Sequence, residues 1–167
     1  KEDTEITGYS KIHTNIECRG YDNMDMFIWI KKMKADGEYV PVSCMKEPYR
    51  GAWGYFRGSR RELDEKWSSD FQPVQAHRKD EPMEEGVIYP VDIEIWPTSR
   101  IWHKGEKLRI EISGHFVKSE WYEDGHMDFL DDNGNGIHVI HTGGKYQSYL
   151  QIPVIPPKYK SGEFVVR

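Results

Sequence analysis

A hydrolytic serine of the α/β type needs a sharp strand-to-helix turn, written G-x-S-x-G, to expose its hydroxyl. The nearest match in the 167 residues is Gly8-Tyr9-Ser10-Lys11-Ile12, where isoleucine replaces the second glycine and a strand pattern follows. That turn cannot be built, so Ser10 reads as a strand residue and no catalytic residue is expected in this chain. Histidine offers little more. His138 and His141 are three apart, which on a strand places them on opposite faces. His77, His103, His115 and His126 stand in or beside loops without paired cysteines, and neither HExxH nor CxxC occurs, so no zinc site is expected.

The run Asp131-Asp132-Asn133-Gly134-Asn135-Gly136 repeats the first half of a calcium loop, in which alternate oxygens turn inward and a glycine makes the bend. Asp131, Asn133 and Asn135 are therefore candidate calcium ligands. The twelfth position, normally a bidentate glutamate, is Thr142, and the same residues are ordinary turn formers. The turn reading is preferred, and no cofactor is expected. Glu62, Asp64, Glu65, Glu84, Glu85, Asp124 and Asp128 could serve a glycosidase only if two faced each other across a cleft. Six tryptophans and ten tyrosines could form a sugar-stacking platform, although aromatics in a β-sandwich more often fill its core.

The elements that would position such residues are strands. Ile12, Thr14, Ile16 and Cys18 alternate with polar residues, as do Val87, Tyr89, Val91, Ile93 and Ile95, and Leu108, Ile110 and Ile112. Residues 26–30 are apolar on both faces, as expected of a central strand covered on each side. Residues 137–141 and 150–155 are short and rich in β-branched residues. Residues 38–42 form the return arm of a hairpin after Ala35-Asp36-Gly37. Only 59–67 resembles a helix, of two turns at most, and 66–86 reads as a long surface loop. Seven or eight short strands with turn clusters between them predict an all-β fold, a jelly-roll β-sandwich.

The formal net charge of -5 and the lack of any Lys/Arg block argue against a nucleic-acid partner. No apolar stretch approaches the ~20 residues of a membrane span, and no signal peptide precedes the first strand. A chain opening at Lys1 reads as a fragment or processed product. Cys18 reads as a small buried thiol rather than half of a disulfide with Cys44, which favours a reducing, cytoplasmic setting.

Several blocks together carry a family resemblance. They are Ile6-Thr7-Gly8, Asp25-Met26-Phe27-Ile28 and Arg57-Gly58-Ser59-Arg60-Arg61-Glu62-Leu63. Next come Glu81-Pro82-Met83-Glu84-Glu85-Gly86, Ile93-Glu94-Ile95-Trp96-Pro97-Thr98-Ser99 and Lys104-Gly105-Glu106-Lys107-Leu108-Arg109. The last are His141-Thr142-Gly143-Gly144-Lys145-Tyr146 and Ile152-Pro153-Val154-Ile155-Pro156. In this order they resemble the C-terminal non-catalytic domain of X-Pro dipeptidyl-peptidases and the cocaine-esterase (CocE/NonD) group of serine hydrolases. The resemblance implies a galactose-binding-like jelly roll over residues 1–167, with its core at about 6–156 and an extension at 157–167. It implies an α/β-hydrolase domain upstream, absent from this chain, against which the jelly roll packs to help shape the active-site cleft. No family catalytic residue maps onto the chain. Trp96, Arg100 and Trp102 are the candidate domain interface, because two tryptophans follow a strand end where a polar loop is usual. The alternative is that both tryptophans fold over the core. A carbohydrate-binding jelly roll is the alternative function, and a homo-oligomer is a further possible partner.

Overall fold

One long strand organises most of the chain. The computed structural model describes residues 2–44, 47–49, 51–116 and 131–156. β1 (Thr4–Arg19) is paired antiparallel along one whole edge by β7 (Tyr89–Trp102), from Ile16 opposite Tyr89 to Thr4 opposite Trp102. Its other edge is shared in succession by β11 (Val154–Ile155), β10 (Tyr149–Gln151) and β9 (Ile137–His141). In the second sheet, β2 (Asp25–Met33) is central. β8 (Lys107–Ser113) lies on one edge, and β6 (Trp53–Arg57) and β3 (Tyr39–Val40) lie on the other. A separate hairpin joins β4 (Val42–Cys44) to β5 (Glu47–Tyr49).

The two sheets pack as an antiparallel β-sandwich, the fold class expected from the alternation. Ile12, Ile16, Met26, Ile28, Val91, Ile93 and Ile95 all enter one core between them. β2 is covered on both faces, as its sequence predicts. Its even-numbered residues join that core, while Phe27 and Trp29 form a second cluster with Trp53, packed by Tyr55 and Phe116. The hairpin at Ala35-Asp36-Gly37 also forms, closed by Lys34 N–H donating to Glu38 O at 2.7 Å and Gly37 N–H to Lys34 O at 3.0 Å. Cys18 is a buried free thiol that donates to Asn23 O, and burial pushes its pKa up. Among the described residues no helix is long and apolar enough to cross a membrane.

Four expectations are corrected. The first concerns Ile110 and Ile112, which are 37% and 38% exposed rather than core residues. They lie opposite Ile30 and Ile28 in register, so they do face the core side. β8 is at the sheet's edge among the described strands, and burial fades there even where the alternation is correct. The second concerns 96–102, which continues β7 rather than forming a loop. Between Gly8 and Ser10 the register jumps from Thr98 to Ile95, so Trp96 and Pro97 together face Tyr9 as a β-bulge. Pro97 has no N–H to lose there. Gly8, at φ +131° with Pro153 close by, supplies the backbone freedom that the bend requires. The extra residue reverses the alternation, so Val91, Ile93 and Ile95 point inward before the bulge and Trp102 after it.

The third correction is the helix at 59–67, which reduces to a 3-10 turn at Gly58–Arg60. The Asp64 carboxylate accepts the amides of Lys66 and Trp67, offering the backbone a local turn instead of a helix. The fourth is 150–155, which breaks into two strands at Pro153, whose carbonyl accepts Thr7 N–H at 3.1 Å. Ile95→Ala, at a fully buried site, is expected to lower unfolding free energy by about 2–5 kcal/mol in urea titration. Ile110→Ala is expected to cost about 1 kcal/mol or less, because part of its surface is already in water.

Candidate functional site

One of the candidate residues, Asn133, lies in a buried polar junction built around Asp25. Asp25 opens β2 with no solvent exposure, and its carboxylate accepts two hydrogen bonds from Arg57, at 2.9 and 2.8 Å. Tyr55 Oη donates to the same carboxylate at 3.2 Å and Asp132 N–H at 2.7 Å. Burial, followed by the Asp25 charge, pushes the Tyr55 phenol up to about 12, and the carboxylate raises Arg57 further above its ordinary value. Beside it, Asn23 Oδ1 accepts the amides of Met24 and Ser59, while Asn23 Nδ2 donates to Asp132 Oδ2.

The candidate calcium loop is the other half of this junction. Asn133 is buried; its Oδ1 accepts Asp25 N–H at 2.7 Å and its Nδ2 donates to Gly114 O at 2.6 Å. Asp132 accepts Tyr21 Oη at 2.7 Å, and this bond first, then Asn23, lowers its pKa. Asp131 turns outward to His115 Nδ1 at 2.7 Å, and Asn135 is exposed. Asp131, Asn133 and Asn135 thus serve different places, and the loop's oxygens hold the start of β2 and the Asn23 side chain, which in turn holds the 3-10 turn. Among the described residues no group of three or more His, Cys, Asp or Glu side chains is gathered as a metal-ligand set.

The histidines are dispersed as their spacing predicts. His141 Nε2 pairs with Glu17 at 2.7 Å on the outer face of the first sheet, and His13 pairs with Asp92 at 2.8 Å on the same face. Glu17 also receives Arg19 at 2.6 and 3.0 Å; Arg19 first, then His141, holds its carboxyl down to about 2. His138 lies nearer Gly114, and burial lowers its pKa. Ser10 is buried inside β1, far from any turn that could present a nucleophile. His126, Asp124 and Asp128 lie outside the described residues.

The three candidate interface residues separate. Trp102 is a core residue, 6% exposed, because the bulge turns it inward; the expectation that it stands on the surface is corrected. Arg100 is clasped by the chain, donating to Val40 O at 2.6 Å and Pro41 O at 3.3 Å. Trp96 alone is well exposed, at 55%. It stands at a seam where β6 meets β7 so closely that a Cβ on Gly54 would strike the Glu94 carbonyl oxygen. Outside the seam lies an open cleft of about 360 Å³. Trp53 and Tyr55 come from β6, Glu94 and Trp96 from β7, and the opposite wall is the loop carrying Val74 and His77. Trp53 and Trp96 pack with ring centroids 5.1 Å apart and planes tilted at 44°, and Gln72 Nε2 ties the loop to Glu94 Oε1 at 3.1 Å. Sequence reasoning missed this cleft, because it is made by three segments and only the Trp96 exposure hinted at it.

Comparisons agree with this architecture. Residues 1–151 match the family described as the X-Pro dipeptidyl-peptidase C-terminal non-catalytic domain. Two crystal structures of a CocE/NonD family hydrolase from Staphylococcus aureus superpose with a TM-score of 0.80 at 31% identity, over 93% and 92% of this chain. The chain spans only 29% of the length of each. An α-amino acid ester hydrolase shares the fold, with a TM-score of 0.56 at 13% identity, over 92% of this chain and 24% of its own. No curated protein sequence matches.

Two outcomes follow from the polar contacts. Arg57→Met leaves the Asp25 charge buried without its main partner and should cost about 3–5 kcal/mol in urea titration. Replacing both residues with apolar ones should cost less than the two single changes summed, the sign of direct coupling. For Glu17, the folded pKa of about 2 lies below the unfolded value. Its contribution is complete above pH ~5 and is lost as pH falls. The melting-temperature gap between wild type and Glu17→Gln should be widest near neutrality and close as the pH approaches 2.

Proposed function

We propose that this chain, which belongs to the X-Pro dipeptidyl-peptidase C-terminal non-catalytic domain family, is the accessory β-sandwich of a larger serine hydrolase. The chain itself is non-catalytic. The family match over residues 1–151 carries this reading. The polar junction supports it, since Asp25, Arg57, Asp132 and Asn133 are spent on holding segments together. The S. aureus hydrolase has more than two thirds of its length beyond the part this chain matches, room for a separate catalytic domain. The partner is then an α/β-hydrolase domain of the same polypeptide, carrying the serine, aspartate and histidine. The sandwich would pack on it and help wall its active-site cleft. Fold alone does not select among peptide, ester and amide substrates, because one scaffold hosts many chemistries.

The test is to treat the protein, at the length its host produces, with a fluorophosphonate probe. Labelling is expected on one serine outside these 167 residues. Stoichiometric labelling of Ser10 or of any other serine within them would overturn the reading.

A further inference from the structure

We infer that the seam cleft and the loop beside it are the surface on which the hydrolase domain docks. The inference rests on the accessory-domain reading and adds to it a location. Among the described residues the three most exposed large aromatics are Trp67 at 67%, Trp96 at 55% and Phe71 at 53%. All three belong to the cleft's walls or to the loop that makes one of them. Phe71 adjoins Gln72, the residue bonded to Glu94, and Trp67 stands in a turn of the same loop held by Asp64. Their exposed parts come to roughly 300–400 Å² at the 150–250 Å² an aromatic side chain can bury. That is within the range of the largest apolar patch on a typical monomer, a patch that is often functional.

The loop is built to hold these rings in place. Ser68 Oγ accepts Val74 N–H at 2.9 Å, Asp64 N–H donates to Val74 O at 2.7 Å, and Ala76 N–H to Glu62 O at 2.8 Å. His77 is kept at φ +51°, a left-handed conformation rare for a non-glycine residue. Trp67 and Phe71 belong to neither of the two hydrophobic clusters, so the braced loop displays their rings to water rather than to the core. The exposed aliphatics Ile137 and Val154 lie on β9 and β11, in the other sheet from Trp53 and Tyr55.

The occupant is identified by what the relatives contain. In the S. aureus hydrolase 71% of the chain lies beyond the part this domain matches, so a covalently attached neighbour is the surface's nearest large partner. The cleft calls for an apolar side chain of that neighbour between Trp53 and Val74, flanked by a hydrogen-bond donor for the Glu94 carboxylate.

Hydroxyl-radical footprinting of the protein at native length, read tryptophan by tryptophan by mass spectrometry, tests this. Trp67 and Trp96 are expected to be protected about tenfold against the denatured protein, like buried Trp102, rather than the about twofold their exposure here implies. If a hydrolase domain is present and both rings still react as exposed ones, the docking surface is wrong while the accessory reading stands. If the native-length protein contains no hydrolase domain, both fall. Protection that disappears on dilution would assign the face to a second copy of the chain and overturn the inference.

Discussion

A carboxylate taken wholly out of water is the constraint on which the fold turns. Asp25 has no exposed surface, and the cost of removing its charge from solvent is offset only when several donors meet it together. Four hydrogen bonds do so, two from the Arg57 guanidinium, one from the Tyr55 hydroxyl and one from the Asp132 amide. Those donors come from segments about 30 and more than 100 residues away in sequence. A buried pair of this kind adds little net stability over an apolar replacement, but it penalises any packing that leaves one partner alone. It therefore selects the arrangement of β2, β6 and the 131–136 loop. Met83 N–H donating to Asp22 O, and Glu81 N–H to Ser59 O, bring the end of the long loop to the same place.

The first sheet obeys a different rule. β1 is long enough to template four partners, one along its full length and three end to end. A strand of 16 residues accumulates twist, and the bulge opposite Tyr9 is where the pair bends and twists most sharply. One inserted residue there decides which of two tryptophans fills the core and which faces water. Trp102 completes the end of the core, and Trp96 is left at the seam with β6.

Much of the fold was legible in the residues. Alternation located β1, β7 and β8, β-branched content marked β9, and the double-faced apolar run at 26–30 marked β2 as central. What alternation could not convey was a change of phase. A bulge needs one extra residue, and Trp96-Pro97 carries no local mark that separates it from a loop. Edge position was equally hidden, since Ile110 and Ile112 have the right phase but lie where the sheet ends among the described strands. The helix-like spacing of Leu63 and Trp67 gave way to Asp64, whose side chain competes for the backbone amides. The junction was seen only in pieces. Asp25 and Arg57 stood out within the family-like blocks, and Asp131, Asn133 and Asn135 as a half-formed calcium loop, but nothing in one dimension joined them.

These details bear on where function can sit in such a domain. The polar groups of the junction and of the first sheet's outer face are largely occupied by one another: Asp132 by Tyr21 and Asn23, Asn133 by Asp25 and Gly114, Glu17 by Arg19 and His141. Polar groups bound so fully stiffen a scaffold and leave little reactivity to spend. Among the described residues an exposed aromatic face lies at the seam, around Trp96. Gly54 allows two sheet edges to meet backbone to backbone, so the outward side chains on either side, Trp53 and Tyr55 from one and Glu94 and Trp96 from the other, necessarily form the two banks of a groove. A side chain at position 54 would part the edges and flatten that groove. The close approach of β6 to β7 thus connects the packing of the sandwich to the shape of the face it offers to a neighbour.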